Sequence, residues 1–341
     1  MATARRFGFA FVTVISLAMF TVRADDVGAP SEEQLDSKLT LPAGSYVLRV
    51  SMNTDGEIRG GQRDLMGLKP PEPTHDEELV ILQVQAHAPT PDGQLLTVQY
   101  RRARRLKDSV TLDSDRPQDH GELSQAYADL TSLPFTVVLD AATGRVNRVD
   151  GMEPVWQRIG RRNNIAEMQK RYGEARVKSC IDHIRGVLPP EPARIGQTWE
   201  QDRDRELIGA GKGRDTYTFA AIEDAPADAS KRASAHAGAA APAGRLAVVT
   251  VAGRHRGPVK NAKFAGIFEA QQKGTAKHDL TTGQVRFSTA QTNATSKVDT
   301  FDGKPLKDAI ITIITARLEV RFAPGQYDPA AAAASTQPLV K

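Results

Sequence analysis

Cysteine is nearly absent. Cys180 is the only one in 341 residues, so no intramolecular disulfide can form and stability must come from a packed core, which a chain of this length can build. Aromatics make up only 6% of the chain, with two tryptophans. That leaves little for base-stacking platforms and argues against a nucleic-acid partner. Long apolar runs are missing beyond residue 22; Ile310–Ile314 falls far short of the ~20 residues of a membrane span. Recognisable catalytic patterns are missing too: no G-x-S-x-G, H-E-x-x-H or C-x-x-C occurs, and no Walker lysine precedes Ser or Thr. Gly209-Ala-Gly211-Lys212-Gly213 has the glycines of a phosphate loop but not its order, and reads as a flexible turn. The sequence therefore predicts no enzyme, no metal site and no cofactor.

What is present begins with the N-terminus. Met1–Arg6 carries two arginines and no acid, and Phe7–Val22 is uncharged. Val22-Arg23-Ala24 then precedes Asp25-Asp26. This is the pattern of a secretory signal, with cleavage expected between Ala24 and Asp25. Sixteen helical residues rise only about 24 Å, short of the ~30 Å hydrocarbon core. With no cysteine at the new N-terminus to carry a lipid, the expected destination is the periplasm or the exterior. No transmembrane span is expected in the mature chain.

Residues 25–41 read as an N-terminal extension. Strands dominate thereafter. Tyr46, Leu48, Val50 and Met52 alternate with Val47, Arg49 and Ser51; Val80, Leu82 and Val84 with Ile81, Gln83 and Gln85; Leu96, Val98 and Tyr100 with Thr97, Gln99 and Arg101. Near the C-terminus Ile314, Ala316, Leu318, Val320 and Phe322 face away from Thr315, Arg317, Glu319 and Arg321. Period two with one apolar face marks a sheet covered on one side. Between Gly151 and Leu188 the apolar spacing changes to threes and fours (Val155, Trp156, Ile159; Ile165, Met168, Tyr172; Val177, Ile181, Ile184), a helical stripe. Gly160 and Asn163-Asn164 are expected to split it into two helices, and Pro189-Pro190 to stop it. Asn53–Glu78, Asp224–Gly244 and Pro324–Lys341 read as loops or disorder.

Asp140-Ala-Ala-Thr143-Gly144-Arg-Val146 and Asp279-Leu-Thr-Thr282-Gly283-Gln-Val285 share the pattern D-x-x-T-G-x-V, a hairpin turn on a positive-φ glycine. Gly44-Ser-Tyr46 opens the first strand set and Gly196-Gln-Thr-Trp199 the second. The repeated order suggests an internal duplication. The expected fold is mainly β: two curved antiparallel β-meanders, half-barrel-like, with a helical segment between them. Its divisions are a signal peptide at 1–24, meanders at 42–150 and 191–323, helices at 151–190, a low-complexity loop at 224–244 and a disordered tail at 324–341.

Two groups of side chains stand out. Tyr46, Leu48, Val50, Leu82, Val84, Val98 and Tyr100 form an inward apolar face that Trp156, Ile159 and Met168 would cover. Such a face holds an acyl chain, or simply packs as a dry core. Cys180 and His183 share a helix face, but two ligands do not make a metal site. Arg101-Arg102-Ala103-Arg104-Arg105 reads as a phosphate or head-group contact, or as a solvated strand end.

From Phe135 to Gly151 the chain reads F-x-V-x-L-D, then T-G-x-V-x-x-V-x-G; a helix, Pro189-Pro190 and Gly196-Gln-Thr-Trp199 follow. In these motifs it resembles a family of uncharacterised secreted bacterial β-rich proteins. More distantly, its curved sheet with helices is similar in architecture to the periplasmic half-barrels that carry lipoproteins. The resemblance implies the β-rich fold and carries no catalytic residues.

The leading expectation is an exported, non-catalytic binding protein of the bacterial envelope that holds a lipid or apolar ligand. An interaction module engaging another envelope protein through strand edges or loops is the alternative, and an enzyme with an unrecognised site the third. Lys+Arg of 45 against Asp+Glu of 41 suggests a basic protein. Removing Arg5, Arg6 and Arg23 with the signal leaves 42 against 41. The excess lies in Gly151–Leu188, with eight basic and four acidic residues. Arg161, Arg162, Lys170 and Arg171 are therefore the expected contacts to an anionic surface.

Overall fold

The computed structural model describes residues 33–37, 39, 41–60, 72–160, 165–206, 210–225, 244–260 and 264–329. The first meander contains β2 (Gly44–Gly60), β3 (Thr74–Ala86), β4 (Gln94–Lys107), β5 (Val110–Asp113), β6 (Phe135–Leu139) and β7 (Val146–Asp150). The second contains β9 (Thr198–Glu206), β10 (Ala210–Asp224), β11 (Arg245–Lys260), β12 (Phe264–Asp279), β13 (Val285–Phe301) and β14 (Lys304–Pro324). Helices α1 (Glu122–Leu130), α2 (Glu153–Gly160), α3 (Ile165–Tyr172) and α4 (Glu174–Arg185) belong to the first half and its exit. A short pair, β1 (Gln34–Leu35) and β8 (Ala193–Arg194), lies apart.

The fold is mainly β, as the alternation implies, and the two meanders are one sheet. Its order is β7-β6-β4-β3-β2-β14-β13-β12-β11-β10-β9, with β5 beside β4. Every pairing is antiparallel. The seam is β2 against β14, from Gly60↔Ile310 to Tyr46↔Pro324. Tyr46 and Phe322 stack across it with ring centroids 4.9 Å apart. Among the described residues β7 and β9 are unpaired on their outer sides, so the sheet is open. In the second half, Cα atoms of β10 and β12, and of β11 and β13, come within 8 Å. Two strand spacings of a flat sheet are about 9.5 Å, so the sheet curls there.

The two D-x-x-T-G-x-V segments make the same turn. Asp140 Oδ1 accepts from the N–H groups of Ala142 and Thr143, and Asp279 Oδ1 from those of Thr281 and Thr282. Gly144 and Gly283 hold φ of 64° and 70°, which a residue with a Cβ adopts only at a cost. Leaving aside β5, each turn joins the fourth and fifth strand of its meander, the arrangement a duplication would leave.

The helices cover one face of the first half. Val155, Trp156 and Ile159 of α2, Met168 and Tyr172 of α3, and Val177, Cys180, Ile181 and Ile184 of α4 share a cluster with the inward residues of β2, β3, β4 and β6. A second cluster gathers Trp199, Tyr217, Phe219 and Val249 with Leu35 and Leu188. A third, under the far ends of the long strands, joins Phe268, Ala294 and Val298.

Several expectations need correcting. The stretch 53–78 is not wholly a loop: β2 runs on to Gly60 because β14 supplies cross-strand partners from Tyr46 to Gly60, and β3 begins at Thr74 against Gly56 of β2. The helical segment holds three helices, since Gly173 ends the α3 turn and starts α4. Helix α1 was not anticipated. Ala210–Gly213 is strand, paired to β9 and β11, not a flexible turn. Residues 325–327 are tied to the sheet, as described next. The cleavage site Ala24–Asp25, the asparagines 163–164 and most of 224–244 lie outside the described residues.

Candidate functional site

All ten residues of the inward apolar group are brought together. Tyr46, Leu48, Val50, Leu82, Val84, Val98, Tyr100, Trp156, Ile159 and Met168 sit in one cluster, none more than 7% exposed. The sheet face and its helical cover fill each other. Tyr100 donates its hydroxyl to the carbonyl of Tyr172 (2.9 Å), fastening β4 to the end of α3. Buried Glu78 and half-buried Arg176 form an ion pair (2.8 Å) between β3 and α4. Cys180, one helical turn beyond, is fully buried, and burial pushes its thiol up to about 11. Among the described residues no group of three His, Cys, Asp or Glu side chains is placed to hold a metal ion.

Of the anionic-surface candidates, Lys170 is exposed on α3, and Arg171 donates to Glu167 one turn back (3.3 Å). Arg161 and Arg162 lie outside the described residues.

A cavity of about 270 Å³ lies on the sheet face opposite the helices. Ser45, Gln83, Gln85, Thr97, Gln99 and Arg101 line it from the strands. Pro134, Gln326 and Tyr327 complete the lining. Register explains the grouping. Ser45, Gln85 and Thr97 are lateral neighbours on β2, β3 and β4, and Gln83 and Gln99 stand in the next row. These are the polar partners, one residue out of phase, of the buried apolar set.

Gln83 holds the site together. Its Nε2 lies within reach of three acceptors, Ser45 Oγ (2.8 Å), the Tyr46 carbonyl (2.8 Å) and the Gly325 carbonyl (3.1 Å), which share its two N–H groups. Its Oε1 accepts the Tyr327 N–H at 2.7 Å. One side chain thus straps the segment after β14 across the face. Gln99 Nε2 donates to the Thr131 carbonyl (2.9 Å), which turns its amide so that the oxygen and a second N–H remain. Burial and the neighbouring Asp115 raise the Tyr327 hydroxyl above its ordinary value.

The arginine run is divided in its duties. Arg102 binds Asp113 in fork geometry (3.2 and 2.7 Å), and Arg105 binds Asp76 likewise (3.0 and 2.6 Å). Arg101 is the extra residue of a β-bulge, since Leu82 pairs with Tyr100 and Ile81 with Arg102.

Sequence order hid a second constellation. In the second half, His255 Nε2 and Asp215 Oδ1 are 2.9 Å apart, and the Tyr217 hydroxyl donates to Asp215 Oδ2 (3.1 Å). Both members of the His–Asp pair are sealed from solvent. A Cβ on Gly253 would stand 1.9 Å from Asp215 Oδ1, so the pair occupies the space a side chain there would need. A group sealed this way offers no reactant access and reads as a packing device.

Residues 99–285 match a family described as "Family of unknown function (DUF6263)". The chain belongs to this family. The DUF6263 match takes in Gln99, Arg101 and Pro134 of the cavity, while Ser45, Gln83, Gln85, Thr97, Gln326 and Tyr327 lie outside it. No curated protein matches the chain. Among solved structures, the COG4313 outer membrane channel from Pseudomonas putida F1 aligns at 10% identity with a TM-score of 0.19, over 86% of this chain and 99% of that one. The CymD monoaromatic hydrocarbon channel aligns at 10% identity and a TM-score of 0.13, over 84% and 90%. Scores this low carry no argument about fold or function. Among the described residues no helix is long and apolar enough to cross a membrane, which says nothing of strands.

Proposed function

We propose that this DUF6263 protein is a non-catalytic binding protein of the bacterial envelope that holds a small polar ligand in the cavity over β2, β3 and β4. The envelope location rests on the signal-like N-terminus. One observation carries the binding reading: five uncharged hydrogen-bonding side chains and one guanidinium converge on a cavity whose walls are strands plus a strapped C-terminal segment. Its volume, about 270 Å³, is just under the ~300 Å³ lower bound of ligand pockets and suits a ligand of monosaccharide or amino-acid size. Titrating the full chain with a panel of polar metabolites by calorimetry tests this. Binding that weakens at least tenfold in a Gln85→Ala, Gln99→Ala double variant supports it. A panel without a single binder contradicts it.

The apolar alternative requires α2, α3 and α4 to lift from the sheet, since they fill the face an acyl chain would occupy. Native mass spectrometry distinguishes the two, because a copurified lipid mass would favour the apolar reading. Pairing with another protein through a strand edge is the third. β9 carries Glu200, Asp202, Asp204 and Glu206 alternating with Gln201, Arg203 and Arg205, and charges on an edge oppose such pairing. That leaves β7 as the candidate edge.

A further inference from the structure

We infer that the ligand of this cavity is a small hydroxylated carboxylate, of the hexuronic acid kind, with its carboxylate on Arg101; this rests on the cavity reading above. The argument starts from charge. Of the two aspartate-bound arginines in the run, Arg102 is held by two carboxylates, Asp113 and Asp115, and Arg105 by one, Asp76, so neither has charge to spare for a ligand. Arg101 lines the cavity and is exposed, and no other described residue pairs with it. The lining contains no Asp or Glu. The site therefore presents one uncompensated guanidinium among neutral groups, which matches a ligand with a single negative charge. A bulge of this kind re-aims a side chain and recurs beside binding sites.

The neutral groups narrow the choice. Ser45 and Thr97 hydroxyls and the Gln85 amide each donate and accept, and Gln99 keeps an acceptor oxygen. Ligand hydroxyls, which also donate and accept, satisfy such a set. Inorganic phosphate offers only one or two P–OH donors and carries up to two negative charges, against the several hydroxyl donors and single charge of a sugar acid. The planar fork of a guanidinium fits a carboxylate with two parallel bonds.

Calorimetry on the full chain with D-glucuronate, D-glucose and inorganic phosphate, in the wild type and in Arg101→Gln, tests the inference. Glucuronate should bind at least tenfold more tightly than glucose. The advantage should vanish in R101Q, and in the wild type it should shrink as salt is added. Circular dichroism and melting temperature should not change in R101Q, because Arg101 is exposed. Equal affinity for the two sugars, an R101Q variant that keeps the preference, or phosphate binding more tightly than glucuronate would each overturn the inference and leave the polar-cavity reading standing. Silence of both sugars overturns the inference as well; the cavity reading falls with it only if the broader metabolite panel is silent too.

Discussion

At the scale of single residues, two buried groups have chemistry set by their surroundings. Cys180 lies wholly within the main core, and its thiol is pushed up to about 11, so almost no thiolate exists at neutral pH. A thiol reagent such as DTNB should label the native protein at pH 8 no faster than the chain unfolds; rapid labelling of the folded state would contradict this. His278 is the second. It is sealed between the β12–β13 turn and the end of α4, and Nδ1 donates to the Gly283 carbonyl at 3.0 Å. Burial, opposed by that hydrogen bond and reinforced by Arg185, lowers it to about 4. An unfolded histidine titrates near ~6.5, so the unfolded state binds the extra proton between those values. The stability from neutral His278 is fully present above about pH 6.5 and is lost as pH falls toward 4, on the order of 3 kcal/mol. Urea denaturation from pH 7 to 4 should show a shallower decline in His278→Asn, whose amide can replace the Nδ1 donor. Parallel curves for the two proteins would refute the assignment.

At the scale of elements, the segment after β14 shows how a single side chain positions a cavity wall. Gln83 accepts the Tyr327 N–H and donates to the Gly325 carbonyl, partners 244 and 242 residues away in sequence. Gln83→Ala should free this segment, abolish hydrogen-exchange protection of the Tyr327 amide and cost about 1–2 kcal/mol. Protection that persists would show that other contacts hold the strap. The strands themselves were legible from alternation, because a one-residue slip would exchange buried and solvent faces. The helical stripe was legible for the same kind of reason. Helix α1 was not: it spans only nine residues, and no side chain caps it. The polar rows Ser45–Gln85–Thr97 and Gln83–Gln99 could be read as the outward face of three strands. That residues 326 and 327 would return to roof them could not, since no local pattern encodes a contact across that separation.

At the scale of the whole molecule, two meanders become one sheet through β2 and β14. The sequence pattern shows two strand sets and a repeated turn, yet the seam joins residues from 250 to 278 positions apart and follows from edge complementarity, which periodicity does not express. Phe322 is 1% exposed and stacks on Tyr46 across the seam. Phe322→Ala should cost about 3–5 kcal/mol in equilibrium unfolding. A loss under about 1 kcal/mol would mean the backbone ladder alone carries the seam. The same architecture separates two faces of the first half: one filled by helices, the other polar and holding the cavity. The most direct measurement of that division is side-chain NMR on uniformly labelled protein, titrated in parallel with D-glucuronate and with palmitate. The account predicts saturable shifts of the Gln85 and Gln99 amides with glucuronate, and unmoved methyls of Leu48, Val84 and Val98 with palmitate. Saturable movement of those methyls with palmitate, while the amides stay still with glucuronate, would contradict it.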